Sequence, residues 1–95
     1  MPAIGVITLE LRLEDAHSLK DKRHYVKSLK DRLRGKFNVA VSEIDHQDVW
    51  QRSLIAAVTV SPDQARAEQV LQLVEREAAS LLGPLLVGVT TEWLA

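Results

Sequence analysis

In "IGVITLELRL", residues 4–13, apolar and polar side chains alternate, with Ile7, Leu9, Leu11 and Leu13 on one face and Thr8, Glu10 and Arg12 on the other. Period two over this length predicts a strand with one buried side. The period then changes. Leu19, Val26, Leu29 and Leu33 recur at helical spacing, Ser18 stands before them as an N-cap with Asp21 three residues on, and Gly35 falls near the stop. "FNVAVSEI" and "RSLIAAVTV" read as the second and third strands, and the short polar "DHQDVWQ" between them makes them antiparallel neighbours. In "SPDQ", Ser61 as N-cap, Pro62 at the first helical position and Gln64 reaching back predict the start of a second helix. Val70, Leu71, Val74, Ala78 and Leu81 supply its buried stripe, Gly83 and Pro84 end it, and "LLVGVTTEWL" reads as a last strand.

Strand, helix, strand, strand, helix, strand is the order of the ferredoxin-like fold, an α+β sandwich. Right-handed crossovers then place both helices on one face of a four-stranded antiparallel sheet of order 4-1-3-2. Ninety-five residues suffice for one such domain, 1–95, and leave no room for a second. The third strand is apolar on both sides, with Leu54, Ala56, Val58 and Val60 alternating with Ile55, Ala57 and Thr59. The outer sheet face is therefore either a subunit contact, giving a homodimer or other self-association, or an apolar surface simply tolerated in water.

Composition narrows the chemistry. The absence of cysteine excludes disulfides, thiolate metal sites and cysteine nucleophiles, and suits a reducing compartment. The chain opens directly into its first strand without a signal-peptide pattern, and no apolar run approaches the roughly 18 residues of a membrane span. A cytoplasmic protein with no membrane partner is expected. The formal net charge of -1 conceals an asymmetry: "SLKDKRHYVKSLKDRLRGK", Ser18 to Lys36, holds eight of the twelve lysines and arginines against two acids, and the remainder of the chain is acidic.

At 100° per residue, Lys20, Arg23, Lys27, Lys30 and Arg34 fall on one flank of the first helix's apolar stripe, spaced three, four, three, four. This rail is roughly 21 Å long, about six nucleotides of a phosphate backbone. Like charges at such spacings cost a helix a few tenths of a kcal/mol each, a penalty that an external anion or an acidic surface relieves. The plainer reading is of methylenes lying along the core edge with the charges in water. Lys22 differs, since it falls inside the apolar stripe, where it is expected to snorkel past the sheet's end or pair with an acid such as Glu14 or Asp15. His17 and Ser18 mark a helix N-terminus with its attraction for anions, although no glycine-rich loop accompanies it. Trp50, followed by Gln51 and Arg52, either stacks on a base or packs within the fold or a subunit contact.

His17, His24 and His46 are too scattered for a ligand set, and no serine sits in a nucleophile elbow, so neither a metal, a cofactor nor an enzyme activity is expected. The aromatic signature by which RNA-recognition motifs stack bases on this topology is also missing.

"HSLKDKR", "RLRGKFNVAVSE" and "WQRS", within His17 to Ser61, together with the closing "TTEWL", resemble the bacterial YlxP-like family, a domain of unknown function. The family's distinctive polar positions correspond to His17, Ser18, Lys20, Lys22, Arg23, Trp50, Gln51 and Arg52. The resemblance implies the ferredoxin-like fold and, because genes of the family often neighbour those for transcription, translation initiation and ribosome maturation, an association with RNA or a ribosomal subunit. It implies no catalytic residue. Two functions therefore stand: an RNA-binding or ribosome-associated accessory protein using the rail, with His17, Ser18, Lys22, Trp50, Gln51 and Arg52 as secondary candidates, or a self-associating or protein-interaction module whose basic helix meets acids. Glu68, Glu75 and Glu77 on the second helix are candidates for those acids.

Overall fold

The computed structural model describes residues 1–95 as β1 (Ala3–Arg12), α1 (Leu19–Lys36), β2 (Ala40–Asp45), β3 (Arg52–Ser61), α2 (Gln64–Leu82) and β4 (Leu86–Trp93), with a 3-10 turn, Gly83–Leu85, ahead of the last strand. The sheet runs β2-β3-β1-β4 and every pairing is antiparallel, which is the expected order read from the other edge. The inward side chains of β1 and β3, including Ile7, Leu9, Leu11, Ile55 and Ala57, join Val26, Leu29 and Leu33 of α1 and Leu71, Val74, Ala78 and Leu82 of α2 in one cluster. Both helices thus cover the same face of the sheet.

The polar residues on the inner face of β3 are both satisfied. Ser53 donates to the Glu43 carboxylate at 2.5 Å and Thr59 to the Asn38 carbonyl at 2.8 Å. At the other end of the sheet Gly5 lies under Trp93 and Leu71, and a Cβ there would come within 2.8 Å of both side chains. The tryptophan ring lies over β1 only because residue 5 has no side chain.

α2 starts two residues later than the sequence suggests. Ser61 stays extended because it pairs with Ala3 at the end of the β1–β3 ladder, so Asp63 becomes the N-cap, its carboxylate accepting from the Arg66 amide at 2.9 Å. Pro62 then precedes the cap. The buried stripe is Ala67, Leu71, Val74, Ala78 and Leu82, with Val70 and Leu81 half-buried at its edges. Gly83 ends α2 with φ at 55°, a conformation that glycine adopts without a side-chain clash.

On the outer face, Ile4 pairs with Val60 and Val6 with Val58, and Leu54 and Ala56 continue the apolar surface along β3. Ala40 of β2 adjoins it opposite Val58. Neither helix covers this face. Glu10, Arg12 and Arg52 make one end of it charged, with Arg52 approaching Glu10 at 3.9 Å. No helix is long and apolar enough to cross a membrane.

Candidate nucleic-acid interface

The start of α1 is fixed by reciprocal capping: the Ser18 hydroxyl accepts from the Asp21 amide at 3.1 Å, and the Asp21 carboxylate accepts from the His17 amide at 3.0 Å. Ser18 and Asp21 thereby occupy this terminus, and an anion here would compete with side chains already in place.

Four residues on, Lys22 is buried, with 3% of its side chain exposed, and its ammonium group donates to three acceptors: Glu43 Oε2 at 2.8 Å, the Val49 carbonyl at 2.8 Å and the His46 carbonyl. An ammonium group has three N–H donors, and all three are used. Neither Glu14 nor Asp15 is the partner. Glu43 is, because β2 points alternate residues inward and Glu43 follows Val41 on that side, opposite Ile55. Its Oε2 also receives the Ser53 hydroxyl, so Lys22, Glu43 and Ser53 form one closed network. Each member comes from a different one of the three stretches that carry the family resemblance.

The same ammonium group holds the β2–β3 turn. His46 sits at φ 64°, a left-handed conformation uncommon for a residue with a side chain, and its carbonyl also accepts from the Val49 amide at 3.0 Å. Gln51 fixes the far side of the turn to the end of β1: its carbonyl accepts from the Leu13 amide at 2.9 Å and its side-chain amide donates to the Glu14 carbonyl at 3.2 Å. Trp50 stands between these anchors, half-exposed.

Arg23, Lys27, Lys30 and Arg34 line a groove between α1 and the β2 side of the molecule, with Lys22 and Glu43 in its wall and Gln47 of the turn at its edge. Lys20 does not join them. It lies on the outermost part of the flank, in a separate depression with Asp15, Asp21, His24 and Tyr25. Among the four groove cations, Lys27 and Arg34 share one acid, Asp31, at 2.6 and 3.5 Å, while Arg23 and Lys30 have no acid within salt-bridge distance. The Lys27 hydrogen bond, helped by the charges of Lys27, Arg34 and Lys30, holds the Asp31 carboxyl below the usual carboxylate range. Asp31 therefore stays ionised well into mildly acidic solution, and what it contributes to the fold is lost only as pH falls through this lowered value.

One acid of α2 meets the other flank. Glu77 takes Lys36 at 2.9 Å and Arg32 at 3.4 Å, and the Lys36 hydrogen bond is the main cause of its lowered pKa. Glu68 and Glu75 line a depression with Thr91 and Trp93, away from α1. Arg52 belongs to the outer sheet face, and the histidines remain apart: His17 ahead of α1, His24 edge-on to Tyr25, His46 in the turn. Glu43, Ser53, Gln47 and Asp31 are the members of this region that helix periodicity alone did not single out. A carboxylate on the inward side of a strand was the available signal for Glu43.

The geometry defines a ferredoxin-like sandwich with a cationic groove along one helix and a pinned, tryptophan-bearing turn at its edge. Residues 4–83 match the family described as protein of unknown function (DUF503), and the chain belongs to that family. It is 42% identical over 71 residues to the uncharacterized protein YlxP of Bacillus subtilis (strain 168), covering 75% of this chain and 77% of that one. Among solved structures, it resembles a de novo designed protein with the ferredoxin fold (TM-score 0.55, 16% identity, 100% of this chain and 87% of that chain). It also resembles a dimeric ferredoxin-like protein of unknown function from Thermobifida fusca (TM-score 0.51, 16% identity, 97% and 91%). These likenesses establish the fold.

Proposed function

We propose that the protein is a cytoplasmic RNA-binding or ribosome-associated accessory factor that acts by binding rather than catalysis, with RNA phosphates lying along Arg23, Lys27, Lys30 and Arg34. The observation that carries this reading is the division of labour on α1. On one flank Arg32 and Lys36 both pair with Glu77 of α2, while the other presents four cations with Asp31 as their one ion-pair partner. A basic helix serving only the architecture would direct its cations toward the acids of α2, and this flank is turned away from them. Four contacts to a single strand correspond to a slope of about -3 in log K against log salt, or a roughly fiftyfold loss of affinity between about 50 and 200 mM salt. Titrating a labelled single-stranded RNA across that range tests the reading. Salt-insensitive binding, or none at low salt, contradicts it. Asp31→Asn provides a gain-of-function check: freed of their shared acid, Lys27 and Arg34 should raise RNA affinity severalfold and steepen the salt slope.

A second surface supports self-association as a further property. The outer face formed by Ile4, Val6, Leu54, Ala56, Val58 and Val60 is apolar and uncovered by the chain itself, and a second copy meeting it face to face would remove that surface from water. Light scattering at micromolar concentration should give a dimer mass for the parent and a monomer mass for Val58→Lys. A monomeric parent at every concentration removes this reading and leaves the groove untouched.

A further inference from the structure

Resting on that reading of the groove, we infer that its ligand is an unpaired strand and that Trp50 is the stacking platform for one of its bases. The turn carrying Trp50 adjoins the groove along the chain: Gln47 lines the groove edge, and the next residue, Asp48, begins a separate shallow depression completed by Val49, Trp50 and Gln51. The backbone on both sides of Trp50 is already fixed, by Lys22 through the Val49 carbonyl and by Leu13 and Glu14, just after β1, through the carbonyl and side-chain amide of Gln51. An indole half-exposed on a pinned backbone loses little freedom when it takes up a flat partner. No aromatic ring of the protein itself stacks on it, and the one aromatic contact within the chain is between His24 and Tyr25.

The charge pattern assigns the two parts of a nucleotide to different places. Phosphates are drawn to the helix flank, over about 16 Å from Arg23 to Arg34. The turn, by contrast, carries Asp48 and follows Asp45 at the end of β2, and these acids repel phosphate, so what reaches Trp50 is an uncharged base face. A base can present that face only when it is out of a duplex stack, which sets the ligand class as single-stranded RNA or a loop. It also suits a ferredoxin-like sheet whose one strand aromatic, Trp93, packs over Gly5 on the inner side and leaves the outer face without one: here the stacking aromatic stands on the turn beside the helix.

The test uses the full chain with Trp93→Phe, so that Trp50 is the sole tryptophan, titrated with a single-stranded oligouridylate and with a duplex of equal length. Expected are quenching of Trp50 fluorescence by the single strand, tighter binding of the single strand than of the duplex, and about a tenfold loss of single-strand affinity in Trp50→Ala. Trp50→Phe should recover part of that loss, and the salt slope should be unchanged in both variants because no phosphate contact is lost. Unaltered melting curves show that the exposed substitution leaves the fold intact. If the oligomer binds with the steep salt slope but Trp50 fluorescence and the affinity of Trp50→Ala stay constant, the stacking role is overturned and the groove reading stands. If Trp50→Ala instead shifts only the protein's own association state, the indole is a protein contact and the inference is again overturned. Absence of any RNA binding at low salt removes both.

Discussion

Replacing Lys22 with alanine should cost about 3–5 kcal/mol of stability, the scale on which removing one partner of a buried ion pair destabilises a protein. Lys22 is 2% exposed, and its loss leaves the Glu43 carboxylate without its cation and two turn carbonyls without a donor. Against a total of about 5–15 kcal/mol for a domain of this kind, that is a large fraction, and chemical denaturation followed by circular dichroism should show the midpoint moving accordingly. Glu43→Gln is expected to be milder, since the amide oxygen still accepts from Ser53 and the two carbonyls remain bound to Lys22. The double variant should be markedly non-additive, because both substitutions act on one network. Equal and additive small losses would mean that the ammonium group is solvated rather than caged.

The second large effect concerns binding. Arg23→Glu with Lys30→Glu should lower affinity for single-stranded RNA by at least about a hundredfold at moderate salt, removing two phosphate contacts and adding two repulsive charges. These two are the groove cations without an acid in the fold, so their charge is fully available to a ligand. Lys27→Glu with Arg34→Glu should act in the same direction through the pair that shares Asp31. The informative control is Arg32→Glu with Lys36→Glu. It changes net charge by the same amount, but on the flank that faces Glu77, and it should alter affinity little. With a formal charge of only -1 on the whole chain, net charge gives no general attraction for RNA, and the acidic remainder would repel it from other faces. Equal losses from the two pairs of reversals would indicate diffuse electrostatics without a defined site.

Much of this architecture is legible in the sequence because single elements carry unambiguous periods. The alternation of Ile7, Leu9, Leu11 and Leu13 and the helical recurrence of Val26, Leu29 and Leu33 each allow one buried face, and both are buried as expected. The missed details depend on contacts between elements. Ser61 has the chemistry of a cap, but pairing with Ala3 holds it in the sheet, and the cap passes to Asp63. Lys22 in an apolar stripe announces a buried cation, whereas its partner becomes known only once β2 is registered against β3 with Glu43 facing inward. The cationic flank could be drawn on a helical wheel, yet the wheel does not say which side α2 will occupy. That side proved to be the one bearing Arg32 and Lys36, and the tertiary arrangement leaves the rail, minus Lys20, open beside β2.

RNA binding along one flank of α1, with the turn at its edge, is open to direct observation. The most direct measurement is a residue-by-residue map of backbone amide shifts during titration with a single-stranded oligoribonucleotide at low salt. Perturbations concentrated at Arg23, Lys27, Lys30, Arg34, Gln47 and Trp50, receding together as salt is added, are expected. Perturbations centred instead on the outer sheet residues Val6, Ala56 and Val58, or absent throughout, would contradict binding at this flank.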